Sequence, residues 1–417
     1  TESEAAELYS SLHTESVRRR LKDAERPALL LSGGLDSGGN LAALRRVYPQ
    51  QLHGYSVGFS DDPWSEIGLA EQMATHFNVQ FSAVMIQGDE IEDLPRLASI
   101  LENPFQENGL MVNYVAMKHL SDKGHGIIFG GDANDQLFGT GSRELALQAL
   151  SHKFGITPFL KLIQKGGRLL PKERAFSQKL LFHSQRVLEA GQLGGFGFDR
   201  FELKKMMAAK GADPLVDVLS QHGLNDRSFE ARLRDACFFV SLFHDGFNLI
   251  IQKASRMAAM HGQALTFPYL DPELIYFVLS LPREFRVSGS VKDIARGRGR
   301  NKWLHRQCFT SQLPPLIMNR KKQGGFAPLE IFFRNERRQQ QILQYISHSR
   351  VVRELCRKDE VASMLRAFAG VIHQGDSWFW HRQAITARVF TLLMLAVWYD
   401  IHIENQSVTN LSDFIKK

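Results

Sequence analysis

Leu29-Leu30-Leu31-Ser32-Gly33-Gly34-Leu35-Asp36-Ser37 begins as a short apolar strand and breaks into a glycine-rich turn. Asn40-Leu41-Ala42-Ala43-Leu44 then reads as the opening of a helix. Two glycines remove side chains, so backbone N–H groups can close around an anion, and the helix start adds its positive dipole. Ser32 and Ser37 can donate hydroxyl hydrogen bonds. Asp36 puts a carboxylate beside the anion, which makes physical sense if it holds Mg²⁺ bridging to phosphate oxygens. No lysine follows the turn, which excludes the common phosphate-binding loop. Stripped of chemistry, the same string is a glycine turn joining a strand to a helix.

The surrounding chain alternates strand and helix. Leu8, Leu12, Val17 and Leu21 have helical spacing and predict a lead helix within residues 1–26. Leu52–Phe59, Val79–Ile86 and Gly126–Phe129 read as further strands, with helices over Ser65–Phe77 and 109–122 between them. Apolar strands in this alternation predict an α/β fold with a parallel sheet covered on both faces. After about residue 145 long helical stretches replace the strands. We therefore expect one catalytic unit: an α/β core over residues 27–145 and a helical part over 146–417 completing the active site.

Hydrophobic residues at 44% and charged residues at 23% describe an ordinary globular chain, and a net charge of +7 over 417 residues does not by itself argue for nucleic acid. Cys237, Cys308 and Cys356 are far apart with no metal spacing, which suggests packing in a reducing, cytoplasmic compartment. The most apolar late stretch, Val389 to Trp398, is too short to span a bilayer and reads as a buried helix. The sequence starts at Thr1 with no charged-then-apolar leader.

Two more clusters carry chemistry. The strand ending at Phe129 runs into Gly130-Gly131-Asp132-Ala133-Asn134-Asp135-Gln136-Leu137-Phe138-Gly139. Strand ends of a parallel sheet line up on one edge, so Asp132 and Asp135 should arrive beside the turn at 32–37, and Asp36 and Asp135 could share one Mg²⁺. The bland alternative makes these aspartates turn formers and helix caps. The other cluster, Asn319-Arg320-Lys321-Lys322-Gln323-Gly324-Gly325-Phe326-Ala327-Pro328, follows Leu313-Pro314-Pro315 and reads as a basic loop suited to a reacting phosphate.

The turn SGGLDS resembles the PP-loop of ATP pyrophosphatases, enzymes that split ATP between its α- and β-phosphates. All three clusters, in this order, resemble the synthetase domain of the asparagine synthetase family. Further likenesses are Ser255-Arg256-Met257-Ala258, Pro268-Tyr269-Leu270-Asp271 and Lys302-Trp303-Leu304, so the resemblance runs from about residue 10 to 402. It implies a five-stranded parallel sheet of the PP-loop type. It also implies ATP and Mg²⁺, with Ser32, Gly33, Gly34, Leu35, Asp36 and Ser37 around the pyrophosphate and Asp36 and Asp135 on the metal. Leu30, Val57, Gly58, Gly130 and Gly131 would line adenine and ribose. Lys322 would neutralise charge during adenylation of a carboxylate, and Asp132 stands where the family places an acid or tyrosine that deprotonates the amine.

The chain departs from that pattern in three ways. About 25 residues precede the first strand, leaving no glutaminase with an N-terminal cysteine in this sequence, so the amine is expected from solution, a partner protein or the substrate itself. Gln136 stands where the family has Glu. Gly262-Gln263-Ala264-Leu265-Thr266 replaces the family's G-L-E-x-R, removing an acid and a base that accompany free aspartate.

The resemblance therefore implies an ATP-dependent, AMP-forming amide synthetase that tailors or cyclises a natural product or peptide, as do the family's β-lactam synthetases and lasso-peptide cyclases. The runners-up are an ammonia-dependent asparagine synthetase and a catalytically dead nucleotide-binding partner. A tRNA-modifying PP-loop enzyme ranks last, with no catalytic cysteine pair and no RNA-binding module visible, so neither nucleic acid nor membrane is expected as a partner. Lys292 to Arg306 holds six basic residues, Lys292, Arg296, Arg298, Arg300, Lys302 and Arg306, against Asp293. With Gly297 and Gly299 it reads as a flexible solvated loop, a lid over phosphates or a dock for an acidic peptide.

Overall fold

The computed structural model describes residues 1–21, 26–59, 65–105, 107, 109–139, 141–169, 175–190, 197–198, 200–209, 228–319, 327–373 and 378–416. The chain divides into two compact units assembled from alternating segments. Unit 1 is Thr1–Met85, Val112–Ile156 and Val218–Gly325; unit 2 is Ile86–Met111, Thr157–Asp217 and Phe326–Lys417.

Unit 1 is built on a parallel sheet of five strands: β1 (Ala28–Leu30), β2 (His53–Phe59), β3 (Gln80–Ile86), β4 (Ile127–Phe129) and β5 (Ala264–Thr266). Their spatial order is β3-β2-β1-β4-β5. The first three strands step outward in one direction, and the chain then returns to the other side of β1. That reversal separates the carboxyl ends of β1 and β4, the place where open α/β sheets bind ligands. In register, Ala28 stands opposite His53 on one side and Ile128 on the other. Ala28, Leu29, Ile128 and Phe129 are all buried, as a strand covered on both faces requires.

The fifth strand, expected from the resemblance alone, is the stretch that departs from the family pattern: Ile127, Ile128 and Phe129 pair with Ala264, Leu265 and Thr266. Helices α1 (Glu2–Leu21), α2 (Leu35–Val47), α3 (Ile67–His76), α5 (Leu110–Asp122) and α6 (Asn134–Phe138) belong to this unit, and α4 (Leu94–Ile100) to unit 2.

Two local expectations need correction, the start of α2 and the basic stretch at 292–306. Helix α2 starts at Leu35, not at Asn40, so Asp36 and Ser37 lie in its first turn. Residues 315–319 form a short helix begun by Pro315, where proline's fixed φ suits the first turn, and residues 320–326 of the cluster read as a basic loop lie outside the described residues. The basic stretch, read as a loop, holds short regular elements. Ser290 caps the helix Val291–Ala295, and β6 (Val287–Ser288) pairs antiparallel with β7 (Arg300–Asn301) before the helix Trp303–Phe309.

In unit 2 the helix Phe379–His402 contains Val389–Trp398. It is long and apolar enough to cross a membrane, and 56% of its most apolar window is buried inside the protein. Val389, Leu393 and Val397 are fully covered, and Phe390 meets Phe333 at 6.1 Å between ring centroids. Arg338 ties this unit together with ion pairs to Asp89 and Glu92, each at 3.0 Å.

Candidate active site

The turn after β1 is shaped by one backbone requirement. Gly33 adopts φ +69°, and a Cβ there would lie 2.7 Å from the backbone of Leu69 and Ala70. Only glycine meets both conditions. Ser32 and Ser37 cross-link the turn: the Ser32 N–H donates to Ser37 Oγ at 3.2 Å, and the two hydroxyls are 3.1 Å apart. Gly34 is the N-cap of α2, and no side chain caps this helix. Its first N–H groups and its dipole therefore stand available to an anion.

Gly33→Ala is expected to cost about 2 kcal/mol or more, from left-handed strain plus the overlap with α3. Gly34, with φ −92°, is the control, because its Cβ would meet only Ser32 Oγ at 3.1 Å. Urea unfolding of the two variants checks this; equal effects would remove the argument.

The two acidic loops do converge. A Cβ on Gly131 would sit 3.2 Å from the Ser37 nitrogen and 3.5 Å from Asp36 Cβ, so the turn after β4 lies against the first turn of α2. Lys302 Nζ lies 2.5 Å from Asp36 Oδ2 and 2.8 Å from Asp135 Oδ1, with the lysine side chain 7% exposed. Asn134 Nδ2 donates to the other Asp36 oxygen at 2.5 Å. Burial alone would depress the Lys302 ammonium, but the two aspartates outweigh it and hold its pKa above the ordinary value. Lys302 is therefore a cation at neutral pH. Strain gathers here too: Ala133 and Lys302 are left-handed at φ +79° and +56°, although neither is glycine.

Beneath the turn lies a buried polar layer. The Tyr269 hydroxyl donates to the Asp36 carbonyl at 2.8 Å. His305 Nε2 is 3.1 Å from the Leu35 carbonyl and Nδ1 is 2.9 Å from the Tyr9 hydroxyl. Burial pushes the His305 pKa down to about 4, so the ring is neutral at pH 7. A neutral ring here donates through Nε2 and accepts the tyrosine proton at Nδ1. The 3.9 Å approach of His305 to Asp36 is thus no ion pair.

On the other side, His13 Nε2 meets Asn40 Oδ1 at 2.9 Å, and Asn40 Nδ2 donates to the Gly130 carbonyl at 2.8 Å. His13 also stacks on Tyr269 with centroids 4.7 Å apart. Gly39 makes the close packing possible, since a Cβ there would lie 2.7 Å from the Tyr269 hydroxyl and 2.8 Å from His305. The lead helix α1 supplies Tyr9 and His13, and so belongs to the floor of the site.

Of the remaining candidates, Leu30 ends β1, Val57 and Gly58 lie in the carboxyl half of β2, and Gly130 and Gly131 follow β4. Gly130 N–H is bonded to the Thr266 carbonyl at 2.9 Å, fixing the β4 exit against β5. Asp132 is half-buried in the turn between Gly131 and Ala133. Lys322 lies outside the described residues. A polar hollow lined by Arg26, Tyr48, His53, Gln80 and His125 is at the opposite, amino-terminal edge of the sheet, away from these motifs.

Sequence reasoning missed Lys302, Asn134, Tyr269, His305 and the α1 pair. Lys302, Asn134 and Tyr269 each stand in a family-like stretch, Lys-Trp-Leu, the cluster at 130–139 and Pro-Tyr-Leu-Asp, but nothing local marks them as site residues, and Lys302 looks like one of six similar cations.

A family profile described as Asparagine synthase matches residues 9–400. The chain belongs to the asparagine synthase family. Similar proteins include "Asparagine synthetase [glutamine-hydrolyzing] 1" of Bacillus subtilis, 22% identical over 94% of this chain and 58% of that protein. The "Putative asparagine synthetase [glutamine-hydrolyzing]" of Mycobacterium bovis and its Mycobacterium tuberculosis counterpart are each 23% identical, over 96% of this chain and 58% of theirs. This asparagine synthase-family chain thus spans somewhat more than half the length of the relatives it matches.

Proposed function

We propose that the protein is an ATP-dependent amide synthetase. A substrate carboxylate attacks the α-phosphate of ATP, pyrophosphate leaves, and an amine then displaces AMP from the acyl-adenylate. One observation carries the reading: two carboxylates from adjacent strand ends meet on one cation, beside a helix start that nothing caps. Two hard oxygen donors converging on one cation position, next to anion-seeking N–H groups, fit a metal-bound polyphosphate.

In this reading Asp36 and Asp135 would hold Mg²⁺, which when bound neutralises charge on the phosphates and the leaving pyrophosphate. Ser32, Gly33, Gly34, Leu35 and Ser37 hydrogen-bond the departing group through hydroxyl and backbone donors. Leu30, Val57, Gly58, Gly130 and Gly131 line the nucleoside. Asp132 takes the proton from the incoming amine, and Lys322 steadies the charge that builds on the α-phosphate. Activation is needed because a carboxylate is a poor electrophile and hydroxide a poor leaving group.

Ala264 and Thr266, on β5, carry neither the acid nor the base that would accompany free aspartate. We therefore favour a larger carboxylate, such as that of a peptide or natural-product precursor. The names of the relatives, asparagine synthetases, favour aspartate and ammonia as the second reading. The test is carboxylate-dependent exchange of labelled pyrophosphate into ATP over a panel of acids. Exchange with AMP as the nucleotide product is expected. Release of ADP and phosphate would sink the mechanism, and nucleotide binding without exchange on any acid would leave a regulatory partner.

A further inference from the structure

The carboxylates assigned to the metal already share a cation. Lys302 Nζ sits between Asp36 Oδ2 at 2.5 Å and Asp135 Oδ1 at 2.8 Å, with its side chain almost wholly buried. We propose that Lys302 gates the metal position: without nucleotide its ammonium neutralises both aspartates and keeps a free divalent cation out. The site then takes magnesium only together with a polyphosphate, whose oxygens give the displaced ammonium a new partner. This rests on the function proposed above and adds an order of binding to it.

Three features support the gate. The ammonium and a divalent cation cannot both occupy the space between the same two carboxylates. Like charges brought that close in a buried site repel strongly. A polyphosphate removes the conflict, since it brings several negative charges for the two cations to share. Second, the carboxylate and turn that Lys302 meets are held in place from several sides. Asn134 fixes Asp36 from the far side, Tyr269 holds the Asp36 carbonyl, and His305 holds the carbonyl of Leu35. Third, the lysine backbone is left-handed at φ +56°, an arrangement that persists when surrounding contacts over-determine it. Release of the side chain would let this residue, the N-cap of Trp303–Phe309, relax.

Manganese binding to the full chain, followed by the paramagnetic resonance signal of the free ion, tests the gate without any turnover. Wild type is expected to bind Mn²⁺ weakly alone and at least about tenfold more tightly when ATP is present. Lys302→Met is expected to bind Mn²⁺ without nucleotide about tenfold or more tighter than wild type, and its melting temperature should rise with Mg²⁺ alone. Adding Asp36→Asn to that variant should abolish both gains. An unchanged or weaker Mn²⁺ affinity in Lys302→Met overturns the gate. So does tight Mn²⁺ binding by wild type without nucleotide, a measurement that stands even if the variant fails to fold. If wild type couples Mn²⁺ to ATP as expected yet exchanges no pyrophosphate, the gate stands and the synthetase reading falls. If wild type binds no Mn²⁺ with or without ATP, both fall.

Discussion

Asp36→Asn is expected to lower carboxylate-dependent ATP–pyrophosphate exchange by about 10²–10³-fold, the range seen when one preorganised charge-stabilising group is removed. The change keeps the size of the side chain but removes the charge that meets Lys302 at 2.5 Å and would hold Mg²⁺. Asparagine is the informative choice because alanine would also unseat Asn134 and Lys302, mixing chemistry with repacking. Far-ultraviolet circular dichroism should be unchanged, since the loop backbone is held by the Tyr269 hydroxyl, the Ser32–Ser37 pair and Gly33. Steady-state exchange at saturating ATP and acid, measured with the fold verified, is the check. Activity within a few-fold of wild type would remove Asp36 from the metal and with it the proposed chemistry.

Acid is expected to unfold unit 1 through its buried histidines. His13 and His305 are both fully covered, and burial pushes their pKa values down to about 3 and about 4. In the unfolded chain each ring takes a proton near the ordinary value of about 6.5. Between that value and the folded pKa, the unfolded state binds protons that the native state refuses. Stability from these two groups is therefore fully present above about pH 6.5 and falls as the pH drops. With both engaged, the slope approaches about 2.7 kcal/mol per pH unit, about 1.4 for each ring, and it flattens only below about pH 4. Urea titrations of wild type and His305→Gln at several pH values from 7 to 4.5 measure this. The variant should lose about half of the slope. Identical pH profiles for the two proteins would mean that His305 already carries its proton in the native state.

Much of the fold could be read directly. The apolar run before Ser32, the glycines after it and the strand–helix alternation led to β1, β2, β3 and β4 within a residue or two. The reason is physical: β1, β2 and β4 are largely buried and need apolar runs, the edge strand β3 buries only Val84 and Ile86, and a tight turn at φ +69° needs glycine. The fifth strand could not be located this way. Ala264–Thr266 is three residues long, too short for any periodicity, and it is a strand only because β4 offers it hydrogen bonds. The start of α2 was misplaced because Gly38 and Gly39 look like a loop. They are helical, and the one at 39 is small to admit Tyr269 and His305.

Within the site, the pairing of Asp36 with Asp135 followed from topology, since strand ends in a parallel sheet share an edge. Lys302 did not. Locally it resembles Arg300 or Arg298, and only the β6–β7 hairpin and the left-handed turn at its end bring it between the two acids. The same holds for Tyr9 and His13, which lie in a plain amphipathic helix until that helix packs under α2.

By itself the chain determined its strand–turn–helix core and the anion-seeking turn, because these depend on neighbours a few residues away, and it put the acids beside the turn because parallel strand ends share an edge. The tertiary structure alone decided which cation those acids hold and which side chains support them from below. Those contacts join residues up to 296 positions apart, as Tyr9 and His305 are, and no local pattern records a partner at that distance.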